Sequence, residues 1–220
     1  MIRVIYTESA PVSMNKIIKI IPTTKVFSIT WNLSIRCNYD CMYCPTTLHD
    51  STSPHPDLET LQNRWMSIVS KTQHKSLKYK ICFTGGEVTG NKDFLPFLQW
   101  LRHNYDYQID KILITTNGSA TYKYYNSLLD WVNDISFSVH SEHIDEKKFF
   151  DTVLNLHRNL SAGKHIHVCI MDEYWNVDRI NLYKQLLTAH NINHSVNQID
   201  YSVQTRSHPI IKGKFNFANT

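Results

Sequence analysis

Strand and helix patterns alternate along this chain from residue 26 onward, and that alternation limits the folds it can adopt. The predicted strands cover residues 26–33, 79–84, 111–116, 135–139 and 165–171, with a possible last strand over 196–203. Helical spacing of apolar residues begins near Leu58, Phe94, Tyr125, Phe149 and Ile180, with Asp57 as the expected N-cap of the first helix. Such alternation is typical of a mostly parallel sheet with helices packed outside it. Because crossovers are right-handed, the sheet is expected to be either doubly wound or a barrel.

Most of the chain forms one domain in this interpretation. The predicted domain covers residues 26–203 of the 220-residue sequence, a length that suits a single hydrophobic core. Residues 1–25 are expected to be an N-terminal extension with a possible short strand before Pro22. Residues 204–220 are expected to be a C-terminal tail or a lid.

The composition is that of a folded protein and excludes several classes. Apolar residues make up 42% and charged residues 19%, with twelve Tyr, nine Phe and five Trp, which argues against a disordered chain. The net charge of +4 is a weak basic lean and does not indicate a nucleic-acid-binding protein, although an RNA or nucleotide substrate stays open. No apolar run approaches the ~18 residues that cross a bilayer. The start of the chain has no signal-peptide core, so we expect a cytoplasmic protein without a membrane segment.

The strongest chemical signal is a group of three cysteines within eight residues, Cys37, Cys41 and Cys44. The chain has five cysteines, and an odd number argues against a disulfide framework. Three thiolates on one short loop can converge on one metal centre. A structural zinc ion needs four ligands, so a zinc site here would need a distant histidine, for example His49 or His140. Three thiolates are the number that leaves one iron open in a cubane iron–sulfur cluster, because such clusters are usually held by four.

Two further polar motifs follow strand ends. Gly85, Gly86 and Glu87 end the second strand, and Asn117 ends the third. In parallel α/β sheets the ligand site lies at the carboxyl ends of the strands. Glycines there allow a ligand to approach closely, and Glu87 can accept a hydrogen bond from an ammonium group. The alternatives are ordinary turns: a tight turn at the diglycine, and an Asn117-Gly118 turn, which is the simpler interpretation of that pair.

Histidines and cysteines cluster near the later strands. Ser138 and His140 lie at the end of the fourth strand, and His140 can equally be a solvated loop histidine. Alternate residues of the fifth strand share one face, namely His165, His167, Cys169 and Met171. That face would line a barrel and bind adenine or substrate, or it would pack as a mixed core face, which the burial habits of Cys and Met favour. His140, Glu142 and His143 suggest a metal site, for which a surface loop is the better interpretation.

Together these motifs resemble the radical S-adenosylmethionine (radical SAM) superfamily. The residues that carry the resemblance are Cys37, Cys41, Tyr43 and Cys44 and, after the next strand, Gly85, Gly86 and Glu87. The approach over residues 30–36 is similar to that of the molybdopterin-cofactor-synthase-like and peptide-modifying branches. The resemblance covers about residues 26–200 and implies an α/β fold, a partial (β/α)₆ TIM-like barrel of parallel strands with outer helices.

The resemblance also implies two cofactors, a [4Fe-4S] cluster and S-adenosyl-L-methionine (SAM). Cys37, Cys41 and Cys44 would hold the cluster, and the methionyl amine and carboxylate of SAM would chelate the fourth iron. The residues expected around SAM are Tyr43 near the adenine, Gly85, Gly86 and Glu87 at the methionyl amine, and Asn117, Ser138 and His140 at strand ends. One electron from the cluster would cleave SAM to methionine and a 5′-deoxyadenosyl radical, which would take a hydrogen atom from a substrate.

The implied function is a radical SAM enzyme acting on an unidentified peptide, nucleotide or small molecule. The chain has no further cysteine cluster, which indicates a single iron–sulfur cluster and favours redox-neutral isomerase- or epimerase-type chemistry or hydrogen abstraction. The implied partners are an external electron donor of the flavodoxin or ferredoxin type, and a dimer or other partner that covers an open side of the barrel. The alternative is an iron–sulfur or zinc-binding protein on the same fold that does not cleave SAM and acts in electron transfer or as a binding module.

Overall fold

The computed structural model of the chain describes residues 26–45, 47–72, 78–173 and 176–199. The predicted extension over 1–25 and the predicted tail or lid over 204–220 lie outside the described residues. In chain order the strands and α-helices are β1 Val26–Asn32, α1 Leu58–Thr72, β2 Lys78–Thr84, α2 Phe94–Tyr105, β3 Ile109–Thr116, α3 Tyr122–Leu128, β4 Asp134–Val139, α4 Glu146–Arg158, β5 His165–Asp172, α5 Val177–Ala189 and β6 Asn193–Gln198. Short 3₁₀ turns occupy Val88–Gly90 and Asp106–Gln108.

The six strands form one parallel sheet in which the spatial order follows the chain order, β1 to β6. A doubly wound sheet reverses its strand order at a switch point, and this sheet does not. Consecutive order is that of a barrel wound in one direction. Among the described strands, β1 and β6 each have one neighbour, so the sheet is not closed. The expected partial barrel is therefore confirmed, and the doubly wound alternative is wrong.

One face of the sheet carries the hydrophobic core. Ile81 and Phe83 on β2 and Ile112 on β3 are fully buried, because alternate strand residues point to the side that the helices cover. An aromatic stack joins sheet to helix there: the rings of Trp31 and Trp65 lie 6.4 Å apart at an interplanar angle of 13°. The other face of the sheet is therefore left for a site.

Side-chain caps fix where two of the helices begin. Oδ1 of Asp57 accepts a hydrogen bond from the backbone N–H of Thr60 at 2.8 Å, which confirms the predicted N-cap of α1. Asp145 caps α4 in the same way, by accepting from the N–H of Lys148 at 3.0 Å. These caps place the loops that precede α1 and α4 next to the carboxyl ends of the strands.

Two element boundaries differ from the sequence prediction. Helix α3 begins at Tyr122 and not near Tyr125, because Thr121 caps it by accepting from the N–H of Tyr124 at 3.2 Å. Strand β6 begins at Asn193 instead of residue 196, since its register is set by pairing with β5 and not by apolar alternation. None of the described helices is both long and apolar enough to span a membrane.

Candidate functional site

A cavity of about 590 Å³ opens at the carboxyl ends of the strands. The loop after β1 forms one wall, from Cys37 to Cys44, and we call it the cysteine loop. The turns after β2 and β3 form a second wall. Strand side chains from the face opposite the core complete the lining, namely Thr84, Thr115, Ser136, Ser138, His167, Cys169, Met171, Ser195 and Asn197. This is the end of a parallel sheet where ligand sites are expected.

The structure brings most of the predicted site residues to this one cavity. Those in its lining are Cys37, Cys41, Tyr43, Cys44, Gly85, Gly86, Asn117, Ser138 and His140. Glu87 is the exception, because it lines a separate cavity of about 1040 Å³ beside the cysteine loop. On β5, His167, Cys169 and Met171 reach the site cavity, but His165 does not, since it lies at the exposed start of the strand.

The diglycine after β2 supports the backbone that leads into the cysteine loop. The N–H of Gly86 donates to the carbonyl oxygen of Ser34 at 2.8 Å, and the N–H of Glu87 donates to that of Arg36 at 2.8 Å. A Cβ atom on Gly85 would lie 2.4 Å from the oxygen of Ser34, and one on Gly86 would lie 2.1 Å from that of Arg36. Their position at a strand end predicts that these glycines allow a ligand to approach. The structure adds a second reason for them, the close approach of two backbone segments.

Two N–H groups approach the first cysteine sulfur. Sγ of Cys37 lies 3.4 Å from the backbone nitrogen of Tyr39 and 3.8 Å from Nδ2 of Asn117. The backbone N–H of Cys37 is itself held by the carbonyl oxygen of Asp50 at 2.7 Å. Hydrogen bonds from N–H groups stabilise a thiolate and orient it as a ligand. Asn117 therefore contributes to the cysteine loop and is more than a turn residue.

The three thiols have raised pKa values. Burial is the main cause at Cys37, Cys41 and Cys44, and the neighbouring acidic and thiol groups raise these pKa values further. A bound metal reverses this preference, because a coordinating thiol is deprotonated outright.

The Glu87 side chain joins the end of β2 to the end of β3. Its Oε1 accepts from the N–H of Thr89 at 2.9 Å and from Oγ1 of Thr116 at 2.7 Å, and its Oε2 accepts from the N–H of Asn117 at 2.6 Å. Burial raises the pKa of this carboxyl, and the hydrogen bonds oppose that rise. The carboxylate thus fixes the backbone of Asn117. A contact between a methionyl amine and the backbone of residues 85–87 stays a prediction.

A buried polar chain lies beneath Cys41. The hydroxyl of Tyr43 donates to Oε1 of Glu173 at 3.1 Å and lies 2.5 Å from Nδ1 of His140. The same Nδ1 lies 3.6 Å from Sγ of Cys41. Glu173 is fully buried and also accepts from the N–H of Ser141 at 3.0 Å. His140 is therefore part of the site, and its interpretation as a solvated loop histidine is wrong.

A possible single-ion site shares Cys41. Ligand atoms of Cys41, Glu142 and His143 lie within 4.8 Å of one another. Burial raises the pKa of Glu142 to about 7, although its carboxylate accepts from the N–H of Met42 at 3.2 Å. Burial lowers the pKa of His140 to about 4, and the charge of His143 acts in the same direction. From the sequence, Glu142 and His143 are expected on a surface loop, and nothing in their spacing connects them with Cys41.

Several residues that line the cavity were not predicted from the sequence. On β4 and β5, Oγ of Ser136 lies 3.3 Å from Nδ1 of His167. Ser195 and Asn197 on β6 reach the cavity from the edge of the sheet. Ser136 could have been predicted from its position, because it lies two residues before Ser138 and on the same face of its strand. No sequence pattern could identify Glu173 as a site residue, because its partner Tyr43 lies 130 residues away in the chain.

Comparison with known proteins gives one sequence relative and several related folds. The chain is 29% identical over 140 residues to a GTP 3′,8-cyclase from Pasteurella multocida (strain Pm70), covering 58% of this chain and 39% of the cyclase. It is similar in structure to Streptococcus suis SuiB bound to precursor peptide SuiA, with a TM-score of 0.56 and 16% identity over 84% of this chain and 43% of SuiB. A structure of BtrN in complex with AdoMet and 2-DOIA gives a TM-score of 0.46 and 18% identity, over 78% of this chain and 69% of BtrN. The sequence matches no protein-family profile.

These relatives agree with the resemblance that the motifs indicate. The cyclase and SuiB are radical SAM enzymes, and the structural similarity to SuiB shows a shared fold. The matched part of this chain spans about two fifths of the length of the cyclase and of SuiB.

Proposed function

We propose that this chain is a radical SAM enzyme with one [4Fe-4S] cluster and SAM as its cofactors. One observation carries the proposal: Cys37, Cys41 and Cys44 are free thiols at one wall of a cavity whose next wall contains Gly85 and Gly86. The cysteines and the diglycine are the two motifs of the resemblance, and they meet although about 40 residues separate them in the sequence.

The residues present fit a cluster with one open iron. The loop offers three free thiols, the number that leaves one iron open in a cluster that is usually held by four. N–H groups of Tyr39 and Asn117 approach the sulfur of Cys37 and would orient it as a ligand. When bound, a cluster of this type would supply the electron that splits SAM into methionine and a 5′-deoxyadenosyl radical.

The remaining walls of the cavity would hold SAM. Backbone groups of Gly85 and Gly86 would meet its methionyl amine, and Tyr43 would lie near the adenine. Asn117, Ser138 and His140 would bind its polar groups, because amide, hydroxyl and imidazole side chains each offer hydrogen bonds there. Glu87 would act through Asn117, because Oε2 of Glu87 accepts a hydrogen bond from the backbone N–H of Asn117 at 2.6 Å.

The substrate would meet the strand side chains deeper in the cavity. Among the described residues that line it, none is Lys or Arg, so a triphosphate would find no ion-pair partner on this wall. Ser136, Ser195 and Asn197 offer neutral hydrogen-bonding groups instead, which suit an uncharged part of a peptide, nucleotide or small molecule. The cyclase relative is named for GTP, and SuiB was solved with a precursor peptide. The reaction would be redox-neutral isomerisation or epimerisation, or another hydrogen abstraction.

The proposal includes partners that a radical SAM enzyme requires. An external electron donor of the flavodoxin or ferredoxin type would reduce the cluster. A dimer or another partner would cover the open side of the sheet between β1 and β6. The cytoplasm is the proposed location, because cytosolic reductants keep cysteine thiols free.

The test is SAM cleavage under strict anaerobiosis. The protein is reconstituted with iron and sulfide, SAM and a strong reductant are added, and 5′-deoxyadenosine is measured. We expect product from the parent and from Cys82→Ala, a cysteine on β2 that does not line the cavity, but none from Cys41→Ala. Iron loading without 5′-deoxyadenosine in any sample, with candidate peptides or nucleosides included, would contradict SAM cleavage.

The alternative function is a zinc-binding module, and the approach of Cys41, Glu142 and His143 favours it. Metal content separates the two. Under the main proposal Cys37→Ala loses iron and His143→Asn keeps it. Under the alternative Cys37→Ala keeps one zinc ion, and His143→Asn loses it.

A further inference from the structure

Each hydrogen-bond partner that the described residues give to the side chain of Glu173 is a donor. It accepts from the hydroxyl of Tyr43 at 3.1 Å, from the N–H of Ser141 at 3.0 Å and from Nδ2 of Asn176 at 3.1 Å, and the hydroxyl of Ser141 is a further donor. The side chain is 0% exposed. A carboxylate oxygen accepts hydrogen bonds, and both oxygens of this one have donors. Because Tyr43 is among these donors, we assign its single hydroxyl hydrogen to Glu173.

This assignment fixes the next hydrogen bond. Oη of Tyr43 lies 2.5 Å from Nδ1 of His140, and its own hydrogen points to Glu173. The contact can be a hydrogen bond only if Nδ1 carries a hydrogen and Tyr43 accepts it. Sγ of Cys41 lies 3.6 Å from the same Nδ1, so the sulfur then faces an N–H group and not a ring lone pair. In this arrangement the imidazole donates a hydrogen bond to the tyrosine, and the tyrosine donates one to the carboxylate.

We propose that Glu173 is a positioning residue that, through Tyr43, holds the hydrogen of His140 on Nδ1 and so directs an N–H group towards the sulfur of Cys41. A neutral imidazole in water prefers its hydrogen on Nε2, so the chain selects the less common tautomer. The selection also leaves Nε2 of His140 as an acceptor. The effect on a cluster rests on the proposed function, whereas the tautomer itself does not.

A bound cluster would be sensitive to this N–H group. Hydrogen bonds to the sulfurs of an iron–sulfur cluster raise its reduction potential, and partners beyond the ligands tune metal sites. Loss of the N–H···S contact at Cys41 would therefore shift the potential to more negative values. Glu173 lies at the end of β5 and Cys41 follows β1, so the chain ties the cysteine loop to the opposite half of the sheet.

The first experiment reads the tautomer in the metal-free protein. ¹⁵N-labelled histidine and two-dimensional NMR report which ring nitrogen is protonated, and His140→Gln identifies the signals of His140. We expect protonated Nδ1 in the parent and in the control Ser141→Ala, which leaves the contact between Tyr43 and His140 in place. We expect Glu173→Leu, which has no acceptor for the hydroxyl of Tyr43, and Tyr43→Phe to move the hydrogen to Nε2. An Nε2-protonated parent, or an unchanged tautomer in Tyr43→Phe, would overturn the proposal.

The second experiment reads the cluster. Redox titration followed by electron paramagnetic resonance gives its midpoint potential at equal iron loading. Glu173→Leu and Tyr43→Phe are expected to lower it by the same amount, and the double variant to lower it no further, because both act on one chain. An unchanged potential would overturn the role at Cys41. A parent that binds no iron would remove the proposed function, and the NMR result would still decide the tautomer.

Discussion

The backbones of Gly86 and Arg36 approach so closely that a Cβ atom on Gly86 would lie 2.1 Å from the carbonyl oxygen of Arg36. Arg36 directly precedes Cys37, so this contact sets where the cysteine loop begins. Gly86→Ala must push the two segments apart. We expect a loss of at least about 1–3 kcal/mol in the free energy of unfolding, the usual cost of overpacking, and faster loss of reconstituted iron to a chelator.

A matched control separates the position from the loss of a glycine. A Cβ atom on Gly90 would meet Nε2 of His55 at 3.4 Å, which is ordinary contact. Gly90→Ala should therefore unfold at nearly the same urea concentration as the parent. Equal stability of Gly86→Ala and Gly90→Ala would contradict the account of the diglycine.

The Glu87 carboxylate gives a second prediction. In Glu87→Gln the side-chain amide has only one oxygen for the donors of Thr89, Thr116 and Asn117, and one buried N–H loses its acceptor. An unsatisfied buried donor costs about 1–3 kcal/mol, so urea unfolding should show a loss of that size. The exposed Glu59→Gln on α1 should change stability little. If the two variants were equally stable, the side chain of Glu87 would not be a link between β2 and β3.

His167 makes one contribution to the pH dependence of stability. Burial lowers its pKa, and the charge of His194 acts in the same direction. A lowered pKa means that the unfolded chain binds the proton more readily than the folded chain, so this contribution to stability is present above pH ~6.5 and is lost as the pH falls below it. His167→Gln should flatten that part of the curve of unfolding free energy against pH. A variant curve parallel to that of the parent from pH 7 to pH 5 would exclude His167 as a source of the slope.

The sequence predicts the fold more fully than it predicts the site. Alternating patterns give all six strands, and the chain order of the sheet follows once the barrel is chosen, because each crossover joins neighbouring strands. The pattern fails at β6, where Asn193 to Gln198 contains a single β-branched residue and is placed by pairing with β5. Polar edge strands have no apolar alternation to predict them.

At the site, the sequence predicts which residues take part better than it predicts which atoms their side chains contact. Gly85 and Gly86 were expected next to a ligand, and they also face the chain that leads into the cysteine loop. Glu87 was expected in the site cavity, and its carboxylate bonds to the turn after β3 instead. Glu173 could not be identified at all, because its role depends on a contact with Tyr43 across the sheet. Directions of this kind are set by packing between elements, which spacing along the chain does not encode.

The central claim is that three cysteines hold a cluster and leave one iron for SAM. Mössbauer spectroscopy of protein reconstituted with ⁵⁷Fe tests it most directly, because it distinguishes the irons of one cluster. We expect about four irons per chain, one of which changes its isomer shift when SAM is added, while the other three do not. Four irons that SAM leaves unchanged, or a chain that holds zinc and no iron after reconstitution, would contradict the claim.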